Sequence, residues 1–323
     1  MSDYVICVRN TFTKDRTKHF GDKPGPTKFL RVPDGELPSP EKSRGQLLTR
    51  TDWLREVLEE AQTGIDDVTG KPVGDVPVFV HGYNNSQEVV MQRQRTLKKD
   101  VEDLNYGGTV IAYGWPSATT GMAYLEDRDD AKDTAHRLRD DCIAPFKRQQ
   151  EKDCEINLHL LAHSTGAYVI RQSFSDADES ASIKNFPWKA SQIAFIGADV
   201  SRRSIKDTES HLKFLYRHCV RLTNYQNPHD SVLKLSNTKR IGLAPRVGRV
   251  GLPDNAGHKA VNVNCGPYYH SLDIDALTQG VDYHGSFCHS CYFPKLLKQN
   301  NLRTQTSRFP QPHNLCSSAF ICD

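Results

Sequence analysis

Apolar residues along this chain fall into short, nearly continuous runs separated by longer stretches with a helical period. Val76–Val80, Thr109–Tyr113, Ile156–Ala162, Gln192–Gly197, Val220–Tyr225 and Ala260–Asn264 are each a few residues long and largely apolar, as in strands covered on both faces. Tyr4–Phe12 also reads as a strand, with Phe29–Val32 as its partner across a Lys/Pro/Gly-rich loop from Thr13 to Lys28. Thr51 is a candidate N-cap for a helix that places Leu54, Val57, Leu58 and Ala61 on one face. Further helices are predicted from Asn85 or Ser86 to about Leu104, over Glu126–Gln150, after Ser164 to about Phe174, around His211–Tyr216, and at Lys295–Lys298. Residues 64–75 read as loop. Buried strands alternating with helices predict an α/β fold with a mostly parallel central sheet and helices on both faces. No internal repeat or long linker divides it. A single domain is expected over about residues 1–300, best supported over 76–297, followed by a polar tail, 301–323.

Composition narrows the class without changing the fold. A chain of 323 residues with 37% hydrophobic and 25% charged residues can bury a core of domain size. The net charge of +3 is small and dispersed, which gives no reason to expect a nucleic-acid partner. The stretch Lys234–Arg249, with Lys239, Arg240 and Arg246, reads as a solvated loop. No run of apolar residues is long enough to span a membrane, and the N-terminus has no export signal. The expected location is therefore cytoplasmic, with the nine cysteines reduced. Cys288 and Cys291 form a C-x-x-C beside His284 and His289, but no second ligand pair stands at zinc spacing. No metal or organic cofactor is expected.

The chemistry concentrates at Ala162-His163-Ser164-Thr165-Gly166. An apolar strand enters this segment and a helical pattern leaves it, so Ser164 stands at the apex of a sharp strand–turn–helix. The small residues beside it suit a crowded, strained backbone. A serine hydroxyl is a poor nucleophile at neutral pH. It needs a base, an acid to orient that base, and donors for the developing oxyanion. In the α/β-hydrolases, whose nucleophile elbow this strand–turn–helix resembles, these come in chain order serine, acid, histidine, from the ends of successive strands. The acid is expected after Val220–Tyr225, at Asp230, with Asp199 as the alternative one strand earlier. The base is expected after the last strand, where His289 is the first choice and His284 and His270 are the alternatives. Backbone donors are expected from Thr165, after the nucleophile, and from Tyr83, in the loop His81-Gly82-Tyr83 after Val76–Val80.

Taken together, these pieces resemble little-characterised esterase/lipase-like serine hydrolases of the α/β-hydrolase superfamily. The resemblance rests on Val78-Phe79-Val80-His81-Gly82-Tyr83-Asn84, Tyr113-Gly114-Trp115-Pro116-Ser117, Tyr124–Arg128, Ala162–Gly166, Asn227–Leu233 and His289–Phe293, in that order. It implies Ser164 as nucleophile, Asp230 as acid, His289 as base, and Tyr83 and Thr165 as oxyanion donors. The chain departs from the family pattern at Thr165 and Cys291, and the segment before His289 is long. Trp115-Pro116-Ser117 is expected to shape the pocket floor or the adjacent strand end, and the resemblance assigns it no chemical role.

The expected activity is hydrolysis of a small-molecule carboxylic ester or thioester through an acyl-enzyme. An acyltransferase would use the same residues with a different acceptor. A binding module on the same scaffold, without turnover, is the alternative of another class. Oligomeric state is not readable from the sequence.

Overall fold

Side-chain alternation decides what each strand of this protein packs against. In the computed structural model, Val78 and Val80, Leu160 and Ala162, and Ile193 and Phe195 lie in one buried cluster with helical residues such as Trp53, Ile170, Phe174 and Leu215. Their neighbours Phe79, Leu161, Ala194 and Ile196 lie in a second cluster, on the other face, with Leu97 and Val101. Strands clothed on both sides in this way leave no polar face, and that is why they read as unbroken apolar runs. The structure describes residues 2–103, 106–117, 124–152, 155–175, 180, 188–206, 210–238 and 245–267.

The strands are β1 (Ser2–Lys14), β2 (Thr17–Pro33), β3 (Leu47–Leu48), β4 (Gln62–Ile65), β5 (Pro72–Val80), β6 (Ile111–Gly114), β7 (Glu155–His163), β8 (Ala190–Ile196), β9 (Cys219–Gln226) and β10 (Ala260–Asn264). They form one sheet in the order β10-β9-β8-β7-β5-β6-β1-β2-β3, with β4 paired to β5. Neighbours from β10 through β1 run parallel, whereas β2, β3 and β4 pair antiparallel. The expected mostly parallel α/β architecture is present. The helices are α1 (Arg50–Ala61), α2 (Gln87–Asp103), α3 (Tyr124–Arg137), α4 (Ala144–Lys152), α5 (Gly166–Ser175), α6 (Ser210–Arg217), α7 (Ser231–Thr238) and the single turn α8 (Val247–Val250). A π-helical segment, Leu138–Ile143, joins α3 to α4. Pro145 follows closely and has no N–H to give to the preceding turn, a local cause for the interrupted ladder.

Four local expectations are corrected. Thr13–Lys28 is a continuation of two long strands, joined by Asp15 and Arg16 at φ of 49° and 64°. Two consecutive left-handed residues match the twist of a two-residue hairpin, and proline is tolerated where a strand edge makes no ladder bond. The helix expected to start at Thr51 is capped by Thr49, whose Oγ1 accepts the Asp52 N–H at 3.1 Å and donates to the Asp52 carboxylate at 2.7 Å. Residues 62–65 form β4 against β5 within the span read as helix end and loop. Arg246 is buried, as is Val247, so that part of the supposed solvated loop belongs to the interior. The closing helix at Lys295–Lys298 lies outside the described residues.

Candidate active site

β7 ends at His163 and α5 begins at Gly166, so two residues make the whole reversal. Ser164 absorbs it with φ of 54°. A residue with a Cβ enters that region at a cost of roughly 1–2 kcal/mol, so the turn must be held from outside. Ser164 N–H donates to Ile196 O on the neighbouring strand at 3.0 Å, and Ser164 O accepts from Ala167 N–H at 3.1 Å and Asp199 N–H at 3.0 Å. A helix starting at once behind a strand also needs close backbone approach. A Cβ at Gly166 would sit 2.2 Å from Val80 O and 2.6 Å from His81 O, so only glycine lets α5 begin against β5.

The loop after β5 comes down onto this turn. A Cβ at Gly82 would stand 2.8 Å from Ser164 Cβ and 3.0 Å from His163 O. Glycine is therefore the condition for bringing the Gly82–Tyr83 backbone beside the serine. Thr165 lies at the mouth of α5, where first-turn amides have no acceptor within the helix. The two segments predicted to supply oxyanion donors, Tyr83 and Thr165, are thus brought together around Ser164.

The loop itself is laced by side chains. Asn85 Nδ2 donates to Gly82 O and to Tyr83 O, both at 2.8 Å. Trp115 Nε1 donates to His81 O at 2.8 Å, and its ring stacks on the His81 ring with centroids 5.4 Å apart. Asn85 N–H donates to Ser117 Oγ at 3.3 Å. Arg9 Nη2 donates to Asn85 O at 3.3 Å. Trp115 and Ser117, to which the sequence assigns no chemical role, support this loop. Asn85 is singled out by the sequence only as a candidate helix cap, and Arg9 not at all. The run of polar and glycine residues directly after a buried strand was the available signal for Asn85. Arg9 carried none, because it is 76 residues from its partner in sequence.

His81 is fully buried, and its Nδ1 donates to Gly82 O at 2.9 Å. Burial, reinforced by the positive charge of Arg9, pushes it down to about 3. A permanently neutral, enclosed imidazole braces the loop and is unsuited to shuttling protons near neutrality.

The two candidate acids differ in what holds them. Asp230 follows β9 and is fully buried; its Oδ1 accepts the Leu233 N–H at 2.8 Å and caps α7. The cap fixes the orientation of the carboxylate. β9 lies two strands from β7 across β8, roughly 10 Å at ordinary strand spacing, a gap of the size an interposed imidazole and its two hydrogen bonds would fill. Asp199 is closer along the backbone, but its carboxylate lies 2.9 Å from Arg246 Nε, and both side chains are 3% exposed. That contact is an ion pair, since the Arg246 Nε–H is not directed along it. Arg246 is carried by a segment seated directly on the loop after β8. Gly248 N–H donates to Ala198 O at 3.0 Å and Val247 N–H to Val200 O at 2.9 Å. The candidate bases His289, His284 and His270 lie outside the described residues, as do Cys288 and Cys291. Among the described residues, no three His, Cys, Asp or Glu gather as metal ligands.

A family model described as an α/β-hydrolase of unknown function (DUF900) matches residues 58–279. Solved structures show only loose likeness. Phospholipase PlaB from Legionella pneumophila is 15% identical over 54% of this chain and 43% of its own, with a TM-score of 0.29. The Bacillus licheniformis lipase BlEst2 is 12% identical over 74% and 95%, with a TM-score of 0.36. The catalytic core of Trichoderma reesei acetyl xylan esterase is 15% identical over 71% and 98%, with a TM-score of 0.33. This chain spans less than half the length of the phospholipase. At these scores the likenesses add nothing to the family match. No curated protein matches the sequence.

Proposed function

This chain belongs to the α/β-hydrolase family of unknown function, DUF900, and on that premise we propose that it hydrolyses a carboxylic ester or thioester through an acyl-enzyme on Ser164. The observation that carries the reading is the pairing of a serine at positive φ, on a strand–turn–helix apex, with a glycine loop packed against its Cβ. Such strain persists where the surroundings fix it, and it is a reason to look for function there.

Ser164 Oγ attacks the carbonyl carbon while His289 takes its proton and Asp230 orients the imidazole. The carbonyl oxygen becomes an oxyanion beside the Thr165 and Tyr83 amides. Collapse expels the alcohol or thiol, protonated by the imidazolium, and leaves the acyl group on Ser164. A water then gives its proton to the same histidine and attacks the acyl carbon, releasing the acid and restoring the serine. None of these steps calls on a metal or an organic cofactor.

The test is a rapid-mixing experiment with a short-chain aryl ester. A two-step mechanism with slow deacylation gives a burst of phenolate approaching one equivalent of enzyme. The acyl group should be found by mass spectrometry on the peptide containing Ser164. Turnover that survives Ser164→Ala would exclude this mechanism.

A further inference from the structure

We propose that the N-terminal hairpin completes the active site, with Arg9 as a positioning residue for the oxyanion loop. The inference rests on the serine-hydrolase reading above and adds a component that the family match, which begins at residue 58, does not include.

β1 lies parallel to β6, and Cys7 pairs with Gly114 at the end of that strand. β1 nevertheless runs on to Lys14, so the hairpin it forms with β2 rises roughly 20 Å past the sheet's carboxyl edge. Ser164 and the His81–Asn85 loop stand at that same edge. Arg9 sits at the root of the hairpin, and its side chain is buried. The local register shifts on either side of Arg9, and a Cβ at Gly25 on β2 would come within 2.4 Å of Asn10 Cα. The strand pair is irregular where the arginine leaves it, as bulges are where a side chain is re-aimed.

The guanidinium spans two elements. Nη1 meets Asp22 Oδ1 at 2.9 Å and Gly21 O at 3.4 Å on β2, while Nη2 donates to Asn85 O at 3.3 Å. Asn85 is the residue whose amide nitrogen holds both Gly82 O and Tyr83 O. A continuous relay therefore runs from Asp22 through Arg9 and Asn85 to the loop proposed to receive the oxyanion. A rigid fork is suited to this, because it fixes two directions at once where an ammonium would fix neither. Burying the charge only to glue the hairpin down would be a weak device, since apolar contacts do that without desolvation. The bond to the carbonyl of Asn85 gives the arginine a position-setting role.

The test compares hydrolysis of a short aryl ester with its thionoester, in which sulfur replaces the carbonyl oxygen and oxyanion donors contribute less. Arg9→Gln should lower kcat for the ester on the order of tenfold or more, leave KM within about twofold, and cut the thionoester rate much less, so that the ester-to-thionoester ratio falls. Arg9→Lys should not restore the ratio. Asp22→Asn, at an exposed position, should shift the ratio in the same direction by a smaller factor, and it serves if Arg9→Gln does not fold. Equal loss on both substrates, or an unchanged ratio in a folded variant, would overturn the proposal while leaving the serine mechanism standing. A wild type that turns over no ester would remove both.

Discussion

Ser164, Gly82, Gly166 and His81 show how few residues define this site. The serine is held at positive φ by bonds to the end of β8, the loop after it and the first turn of α5, and the glycines are set by contacts that any Cβ would break. His81 has a further consequence. Its folded-state value of about 3 lies below the unfolded value of about 6.5. The unfolded chain therefore binds a proton that the folded chain refuses. The stability that His81 contributes is full above about pH 6.5 and is lost as pH falls toward 3. His81→Gln, which keeps a donor but cannot titrate, should flatten the fall of melting temperature across that window. Parallel wild-type and variant curves would show that the imidazole is not the group responsible. Ser164 was legible in the sequence because its chemistry is local: a strand, a turn of small residues and a helix. The bracing residues were not, because a hydrogen bond from Arg9 to Asn85 leaves no trace in either neighbourhood.

Element by element, the parallel strands were legible and the hairpin was not. Strands β5 to β9 are largely buried on both faces and advertise themselves by apolar runs, whereas β10 is half-exposed. Over 17–27, beyond the reach of β3, β2 pairs with β1 alone and carries Pro and Gly, a composition that reads as loop until that pairing is seen. The turn at Asp15–Arg16 is also atypical, since asparagine and glycine suit two positive-φ positions better. Replacing the pair with Asn-Gly should raise stability by a few tenths to about 1 kcal/mol, read as a higher denaturation midpoint with unchanged slope. A lower midpoint would mean that the charged turn makes contacts worth more than the relief of strain. α7 shows the same limit. The sequence places Asp230 in a loop after β9, and the structure makes it the N-cap of a helix, because the short run Ser231–Thr238 carries too little period to announce one.

For the molecule as a whole, the proposed site draws on segments far apart in sequence: the hairpin root at Arg9, the loop after β5, the elbow after β7, and the loops after β8 and β9. The buried pair of Asp199 with Arg246 ties two of these regions together. Removing one member of such a pair strands the other charge in the interior, at a cost of about 3–5 kcal/mol. Asp199→Asn should therefore lower stability on that scale while the folded fraction keeps its turnover number. Asp230→Asn should do the reverse and strike turnover first. The pattern of denaturation midpoints and kcat across the two variants decides between the two carboxylates. Retained turnover in Asp230→Asn with loss in Asp199→Asn would move the acid to the earlier strand. The sequence placed both carboxylates at strand ends, but it could not show that Arg246, some distance along a polar stretch, closes on one of them.

The central claim is that Ser164 is an activated nucleophile, and covalent labelling with a fluorophosphonate tests it most directly. The account predicts one label per folded molecule, located by mass spectrometry on the peptide containing Ser164, absent in Ser164→Ala and slowed sharply in Asp230→Asn. Folded wild-type protein that takes no label, or a label that persists in Ser164→Ala, would contradict it.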